Sequence, residues 1–93
     1  MNIDTNALLS TKSDIENQKK KFVSAANEIT RLLNQELSKV WVDEASTKLN
    51  EKYNSEGKMR IDEVNKILTE FIDGIQTAVD EFEDTVNRMS NSI

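Results

Sequence analysis

Apolar residues recur at intervals of seven along most of this 93-residue chain, on both sides of its single tryptophan, Trp41. The first half contains one row at Leu8, Ile15, Phe22 and Ile29, and a second at Ala26, Leu33 and Val40. The second half contains three rows, which are Ile61, Leu68, Ile75, Phe82 and Met89, then Val64, Phe71 and Ala78, then Ile72, Val79, Val86 and Ile93. Rows offset by three or four residues form one stripe on an α-helix. The pattern therefore predicts two long amphipathic helices.

The segment around Trp41 is the predicted corner between these helices. A long helix buries its own stripe by folding back on itself, and the chain contains no proline and only two glycines. The sequence therefore predicts one all-α domain over residues 1–93, an antiparallel two-helix hairpin. We expect the first helix at about residues 6–39, the turn at about 40–43, and the second helix at about 44–89 before a short flexible tail.

Local signals refine this prediction at the corner and in the second helix. Trp41 is expected to anchor the corner by packing between the helix ends, a role compatible with contact to a partner. Asp43 is a candidate N-cap residue, and Glu44 would place a negative charge in the first turn of the second helix. Gly57 follows a weakly apolar patch, and we expect one helix that is bent or loosened there.

Composition argues against several classes of function. Histidine and cysteine are absent, which removes the commonest acid–base group and the thiolate ligands, so neither an enzyme, a metal site nor a bound cofactor is expected. A net charge of −5 argues against a nucleic-acid partner. No run approaches the ~20 apolar residues of a membrane span, so stable membrane insertion is not expected. The N-terminal residues have no secretory signal-peptide pattern.

Charged clusters on the helices are interpreted as solvated surface. Asp80, Glu81, Glu83 and Asp84 lack the loop of a calcium site. The Lys19–Lys21 run is typical of a soluble helix or an ion-pair rim. In a hairpin folded at residues 41–42, these lysines are expected near Asp62 and Glu63.

One hairpin leaves too much apolar surface exposed, because the second helix has three rows and extends past the first. We therefore expect a dimer in which two hairpins form a four-helix bundle, with the partner either a second copy or a related hairpin. The part of the second helix that extends past the first is expected to carry Phe82, Val86, Met89 and Ile93. The candidate interface residues are Leu8, Ile15, Phe22, Ile29, Leu68, Phe71, Ile75, Val79, Phe82 and Val86.

The corner resembles that of the WXG (ESAT-6-like, Esx) family, small helical hairpins exported by type VII secretion systems of Gram-positive bacteria and mycobacteria. Trp41 stands at the family tryptophan, and Ala45, Leu49 and Tyr53 follow at positions where the family has small, bulky apolar and aromatic residues. The turn motif here is Trp41, Asp43 and Ala45, with Asp43 in place of the family glycine. Aspartate tolerates a positive φ better than most residues, and an N-cap role would compensate in a second way.

The resemblance implies a leaderless, virulence-associated protein that leaves the cytoplasm folded, as a dimer, through the secretion ATPase of the type VII machinery. Members act as secreted effectors or escort larger substrates. The family's C-terminal export signal pairs an aromatic or aliphatic residue with an acid four positions later. The candidate here is its aliphatic form, Val79 and Glu83 followed by Val86. The alternative function is an intracellular coiled-coil adaptor or structural protein that is never exported.

Overall fold

The computed structural model describes residues 3–91, and over this range the chain is an all-helical hairpin. The first long helix, α1, covers residues 5–40, and the second, α2, covers residues 44–91; residues 41–43 connect them. The molecule is a rod of 74 × 18 × 16 Å. At 1.5 Å per residue, α2 alone accounts for about 70 Å of that length.

Helix α1 begins and ends within one residue of its predicted bounds, and α2 begins at the predicted residue. The side chain of Asp4 caps α1 by accepting a hydrogen bond from the backbone N–H of Ala7 at 2.9 Å. At the other end, Trp41 has an extended backbone with φ −142° and ψ 106°, which stops α1. Ser90 and Asn91 belong to α2 instead of a frayed tail, and the rest of the predicted tail lies outside the described residues.

Each long helix contains one π-helical turn, and the two turns lie opposite each other. Helix α1 consists of α-helical Thr5–Arg31, the π turn Leu32–Glu36 and α-helical Leu37–Val40. Helix α2 consists of Glu44–Lys52, the π turn Tyr53–Gly57 and Lys58–Asn91. The loosening expected at Gly57 is therefore a π turn within a continuous helix, while the π turn of α1 has no counterpart in the sequence prediction.

Polar side chains join the two helices at these turns. Asn34 and Asn54 exchange amide hydrogen bonds of 2.9 and 3.1 Å. The hydroxyls of Thr30 and Tyr53 share a hydrogen bond of 2.7 Å. Because a π turn is too wide for i→i−4 bonding, some carbonyls need another donor. The Ser38 hydroxyl lies 3.0 Å from the carbonyl oxygens of Asn34 and Gln35 and meets that need.

The pairing register differs from the one expected from counting residues back from the corner. Lys12 Nζ donates to Gln76 Oε1 at 2.7 Å, and Lys19 and Lys20 border a groove shared with Asp73. The prediction that the lysine run lies near Asp62 and Glu63 is wrong. Side chains lean toward the N-terminus of their own helix. In an antiparallel hairpin, the side chains of α1 therefore lean away from the corner. They meet α2 about one helical turn further from the corner than residue counting predicts.

The interior of the hairpin is thin. Among the described residues only Ala26 and Val79 are buried, with 8% and 1% of their surface exposed. The remaining side chains between the helices are half-buried, and they include Leu8, Ile15, Phe22, Leu68, Ile75 and Phe82. No ion pair of the described residues connects α1 with α2, since each lies within one helix. Thin apolar contact and a few polar pairs therefore hold the helices together.

Gly57→Ala should destabilise the hairpin, although alanine is the better helix former. A Cβ at position 57 would lie 2.7 Å from Cδ2 of Tyr53, so the ring must move and its hydrogen bond to Thr30 is lost. We expect a net loss of about 1–2 kcal/mol in the free energy of unfolding, measured by urea denaturation. The matched control is the same substitution in a Tyr53→Ala background, where the loss should disappear. An equal loss in both backgrounds would contradict the steric explanation.

Candidate functional site: the corner and the exposed apolar face

The corner is held by hydrogen bonds that converge on Asp43. Asp43 Oδ1 accepts from the backbone N–H of Ser46 at 2.8 Å, and Ser46 Oγ accepts from the backbone N–H of Asp43 at 3.0 Å. This reciprocal pair is a capping box at the start of α2. The indole Nε1 of Trp41 donates to Asp43 Oδ2 at 2.9 Å. Both carboxylate oxygens are therefore engaged, one by the helix and one by the tryptophan.

The backbone at Asp43 does not require glycine. Its φ is −152° and its ψ −177°, which is extended backbone that any residue adopts, and no described residue has a positive φ. Aspartate's tolerance of a positive φ is therefore not needed for it to replace the family glycine here. Asp43 instead occupies the N-cap position, the role its sequence context predicts.

The hydrogen bonds at the corner favour the ionised form of Asp43. The backbone N–H of Ser46 and then the indole N–H of Trp41 hold the pKa of the Asp43 carboxyl below its usual value. Because the folded-state pKa is depressed, the contribution of Asp43 to stability is complete above its unfolded pKa, about 3.9. That contribution is lost as the pH falls through the lower, folded-state pKa.

Trp41 is only partly covered at the corner, with 39% of its surface exposed. Its ring lines a cleft of about 260 Å³ together with Leu33, Leu37 and Leu49. Val40 and Val42 on either side are 82% and 81% exposed. The anchor role of Trp41 stays a prediction; its hydrogen bond to Asp43 is the contact that supports it, and part of its ring stays accessible. Ala45, the third residue of the turn motif, is exposed.

The candidate export signal is divided between the interior and the surface. Val79 is the most deeply buried of the described residues, because it faces α1 inside the hairpin. Its side chain is therefore not on an outer surface, either for a receptor or for a dimer partner. Glu83 and Val86 are exposed, and they lie in residues 83–91, where every side chain of α2 is exposed.

The candidate interface residues separate into three groups. Val79 is buried inside the hairpin, and six residues are half-buried between the helices: Leu8, Ile15, Phe22, Leu68, Ile75 and Phe82. Ile29, Phe71 and Val86 are exposed. Phe71 has the largest exposed fraction of these, 61%. Phe82 still lies between the helices, so the part of α2 that extends past α1 starts at residue 83. Ile93 lies outside the described residues.

Phe71 borders an apolar groove on one side of the hairpin. This groove, called here the Phe71 groove, has a volume of about 350 Å³ and is lined by Leu8, Ile67, Phe71, Gly74, Ile75 and Ala78. Glu70 is the one charged residue that lines it. Val64 is exposed on the same face of α2, three residues before Ile67. Helical geometry extends this apolar face to Ile29 and Leu32 of α1, both of which are exposed.

The opposite side of the hairpin is charged. Its groove is lined by Glu16, Lys19, Lys20 and Asp73, with Val23 as an isolated exposed aliphatic residue. Along this part of the hairpin, one groove is therefore mostly apolar and the opposite groove is mostly charged. Ile67 was missed by the sequence reasoning, which followed rows of seven. Its spacing of three from Val64 and four from Phe71 was the signal that could have found it.

The described residues lack the features of two other types of site. Residues 3–91 contain no cluster of three acidic, histidine or cysteine side chains able to hold a metal ion. Within the same range, no helix is sufficiently long and apolar to cross a membrane.

Comparison with known proteins identifies no relative. The chain matches no protein-family model, and no curated protein or solved structure is significantly similar to it.

Substitution of Asp43 should remove the part of the protein's pH-dependent stability that comes from the Asp43 carboxyl. At pH 7 we expect melting temperatures in the order wild type, Asp43→Asn, Asp43→Ala, because asparagine caps a helix but has one acceptor oxygen for two donors. Below about pH 4 the wild-type value should approach that of Asp43→Asn as the carboxyl becomes protonated. Thermal melts from pH 7 to pH 2 measure this, and the difference between the two proteins cancels the titration of other acids. A constant difference would contradict the assigned role of the carboxylate.

Proposed function

We propose that this chain is a small, non-enzymatic helical-hairpin protein of the WXG (Esx) type, exported by a type VII secretion system while paired with a second hairpin. The observation that carries the proposal is the contrast between a hairpin interior in which only two of the described residues are buried and an apolar groove that is exposed at Phe71. Exposed patches of this kind in soluble proteins mark interaction surfaces.

The hairpin architecture supports this proposal in a second way. The partly exposed Trp41 lies at the connection of two antiparallel helices, the place expected from the resemblance. Its hydrogen bond to Asp43 couples the ring to the first turn of α2. A tryptophan fixed in this way can serve as a preformed contact for the secretion machinery without a change in the fold.

Only two of the three residues predicted for the export signal are accessible on the surface. Glu83 and Val86 lie where α2 no longer packs against α1, so a receptor can reach them. Val79 is inside the hairpin and cannot serve without unfolding. We therefore propose that Glu83 and Val86, together with Trp41, are the surface that the secretion ATPase contacts.

Export is tested in the native host by measuring the protein in culture supernatant, with and without the secretion ATPase. We expect export that depends on the ATPase and falls strongly in Glu83→Lys, which is exposed and should leave the hairpin folded. Asp62→Lys, an equivalent charge reversal on an exposed part of α2, is the matched control and should be exported normally. Retention of wild-type protein in the cytoplasm would overturn the proposal and favour the intracellular adaptor.

Phe71→Glu should weaken pairing without unfolding the hairpin. Burying an aromatic side chain at an interface contributes about 1.5–3 kcal/mol, so its replacement by a charge should weaken association roughly tenfold or more. Sedimentation velocity measures this, and circular dichroism checks the helices. Val23→Glu places the same charge on the polar side of the rod and should associate normally. Association lost in Val23→Glu but kept in Phe71→Glu would place the contact on the opposite side.

A further inference from the structure

The cleft beside the tryptophan, called here the corner cleft, combines apolar surface with polar groups. Leu33 and Leu37 of α1, Trp41 of the connection and Leu49 of α2 supply the apolar surface. Both π turns contribute to the lining, one through Leu33 and the other through Asn54. The volume of about 260 Å³ is below the roughly 300–1,000 Å³ of small-molecule pockets. The corner cleft therefore has the size to accept one long side chain of another protein.

Most polar groups of the corner cleft already have partners inside the hairpin. The hydroxyls of Ser38, Ser46 and Thr47 all donate to backbone carbonyls. The amide of Asn54 donates to Asn34 on α1. Because the hydroxyl hydrogens are already used, this lining favours a ligand that donates hydrogen bonds over one that accepts them.

Two acceptors that belong to lining residues have no partner among the described residues. Oδ1 of Asn50 is buried without a hydrogen bond. The terminal torsion of an asparagine side chain is broad, so this amide can turn toward a donor in the cleft. The carboxylate of Glu51, which also lines the cleft, belongs to none of the ion pairs of residues 3–91. Together these two groups favour a cationic donor.

The lysines near the corner do not supply this cation. Lys39 and Lys48 pair with Glu36 and Glu44 of their own helices, at 3.2 and 3.0 Å. Lys52 does not line the cleft, and adjacent residues of a helix do not face each other. Residues 33–54 include the whole lining and carry four acidic and three basic side chains. The surroundings are therefore slightly negative, and the cation must come from a partner.

We propose that the corner cleft binds one arginine side chain of a partner protein, with the guanidinium between the Glu51 carboxylate and the exposed part of the Trp41 ring. Arginine has an apolar stem, a planar cation that stacks on tryptophan, and N–H donors in a fork that matches a carboxylate. Lysine has the charge without the plane or the fork. This inference rests on the proposed function, because it states what the secretion ATPase presents to Trp41.

Tryptophan fluorescence tests the site in purified protein, because Trp41 is the only tryptophan and reports on the corner alone. The probes are blocked tripeptides with arginine, lysine or citrulline between two alanines, titrated in low-salt buffer. We expect a saturable change with the arginine peptide and a Kd of about 1 mM, since so small a ligand has few atoms to bind with. The lysine peptide should bind roughly fivefold more weakly, and the uncharged citrulline peptide roughly tenfold more weakly. Equal affinity for arginine and lysine, or no saturable change, would overturn the proposal.

Replacement of the carboxylate tests its role. Glu51→Gln keeps the size of the side chain and removes its charge, so binding of the arginine peptide should weaken roughly tenfold. Glu56→Gln is the matched control, because this acid is also exposed on α2 but does not line the cleft, and it should bind nearly as wild type. Circular dichroism checks that both variants keep their helices. Equal affinities of the two variants would contradict the assignment of Glu51.

These binding measurements do not depend on export. Arginine-specific binding by a protein that stays in the cytoplasm of the native host would leave the site intact and overturn the proposed function. ATPase-dependent export of a protein that does not bind the arginine peptide would do the reverse. In the host, export of Glu51→Gln should fall below that of Glu56→Gln. Equal export of these two variants would overturn the assignment of the secretion ATPase as the partner that presents the arginine.

Discussion

The structure depends on one constraint, which is that two helices packed side by side enclose almost no interior. Ala26 and Val79 are the buried residues of the described chain. In the seam, meaning the contact between α1 and α2, the side-chain oxygens of Asn50 and Asn65 are buried without a hydrogen-bond partner among the described residues. The contact between the two helices therefore contributes little stability. A partner that covers the exposed apolar face can bury more apolar surface than this contact does.

The sequence predicts the helices and the start of α2, but it does not predict the π turns. Periodicity locates both helices, because a stripe repeated over many turns outweighs local exceptions, and the preference of aspartate for N-caps locates the start of α2 at Asp43. The π turns are not predictable in this way. Leu32–Glu36 contains neither glycine nor proline, and one extra residue in a turn barely alters which rows look apolar.

The candidate site was predictable as a surface but not residue by residue. Rows of seven are equivalent in a sequence, and which row faces α1 depends on the register and on the lean of side chains along each helix. This is why Val79, a predicted residue of both the export signal and the dimer interface, is instead the most deeply buried of the described residues. It is also why Phe71, one row away, is exposed. The hydrogen bond from Trp41 to Asp43 could not be predicted either, because it requires the extended backbone of the connection.

The polar contacts of the seam have a purpose that the apolar rows cannot fulfil. Because those rows repeat every seven residues in both helices, a slip of the hairpin by seven residues would preserve most apolar contacts, and the exposed end of α2 leaves room for it. Such a slip would break the pairs Lys12–Gln76, Thr30–Tyr53 and Asn34–Asn54 together. Of these pairs, Lys12–Gln76 and Thr30–Tyr53 are half-buried, and polar pairs in such positions specify register in coiled coils. A defined register keeps Phe71 and Gly74 outside the seam, and the weak interior is thus compatible with a constant surface for a partner.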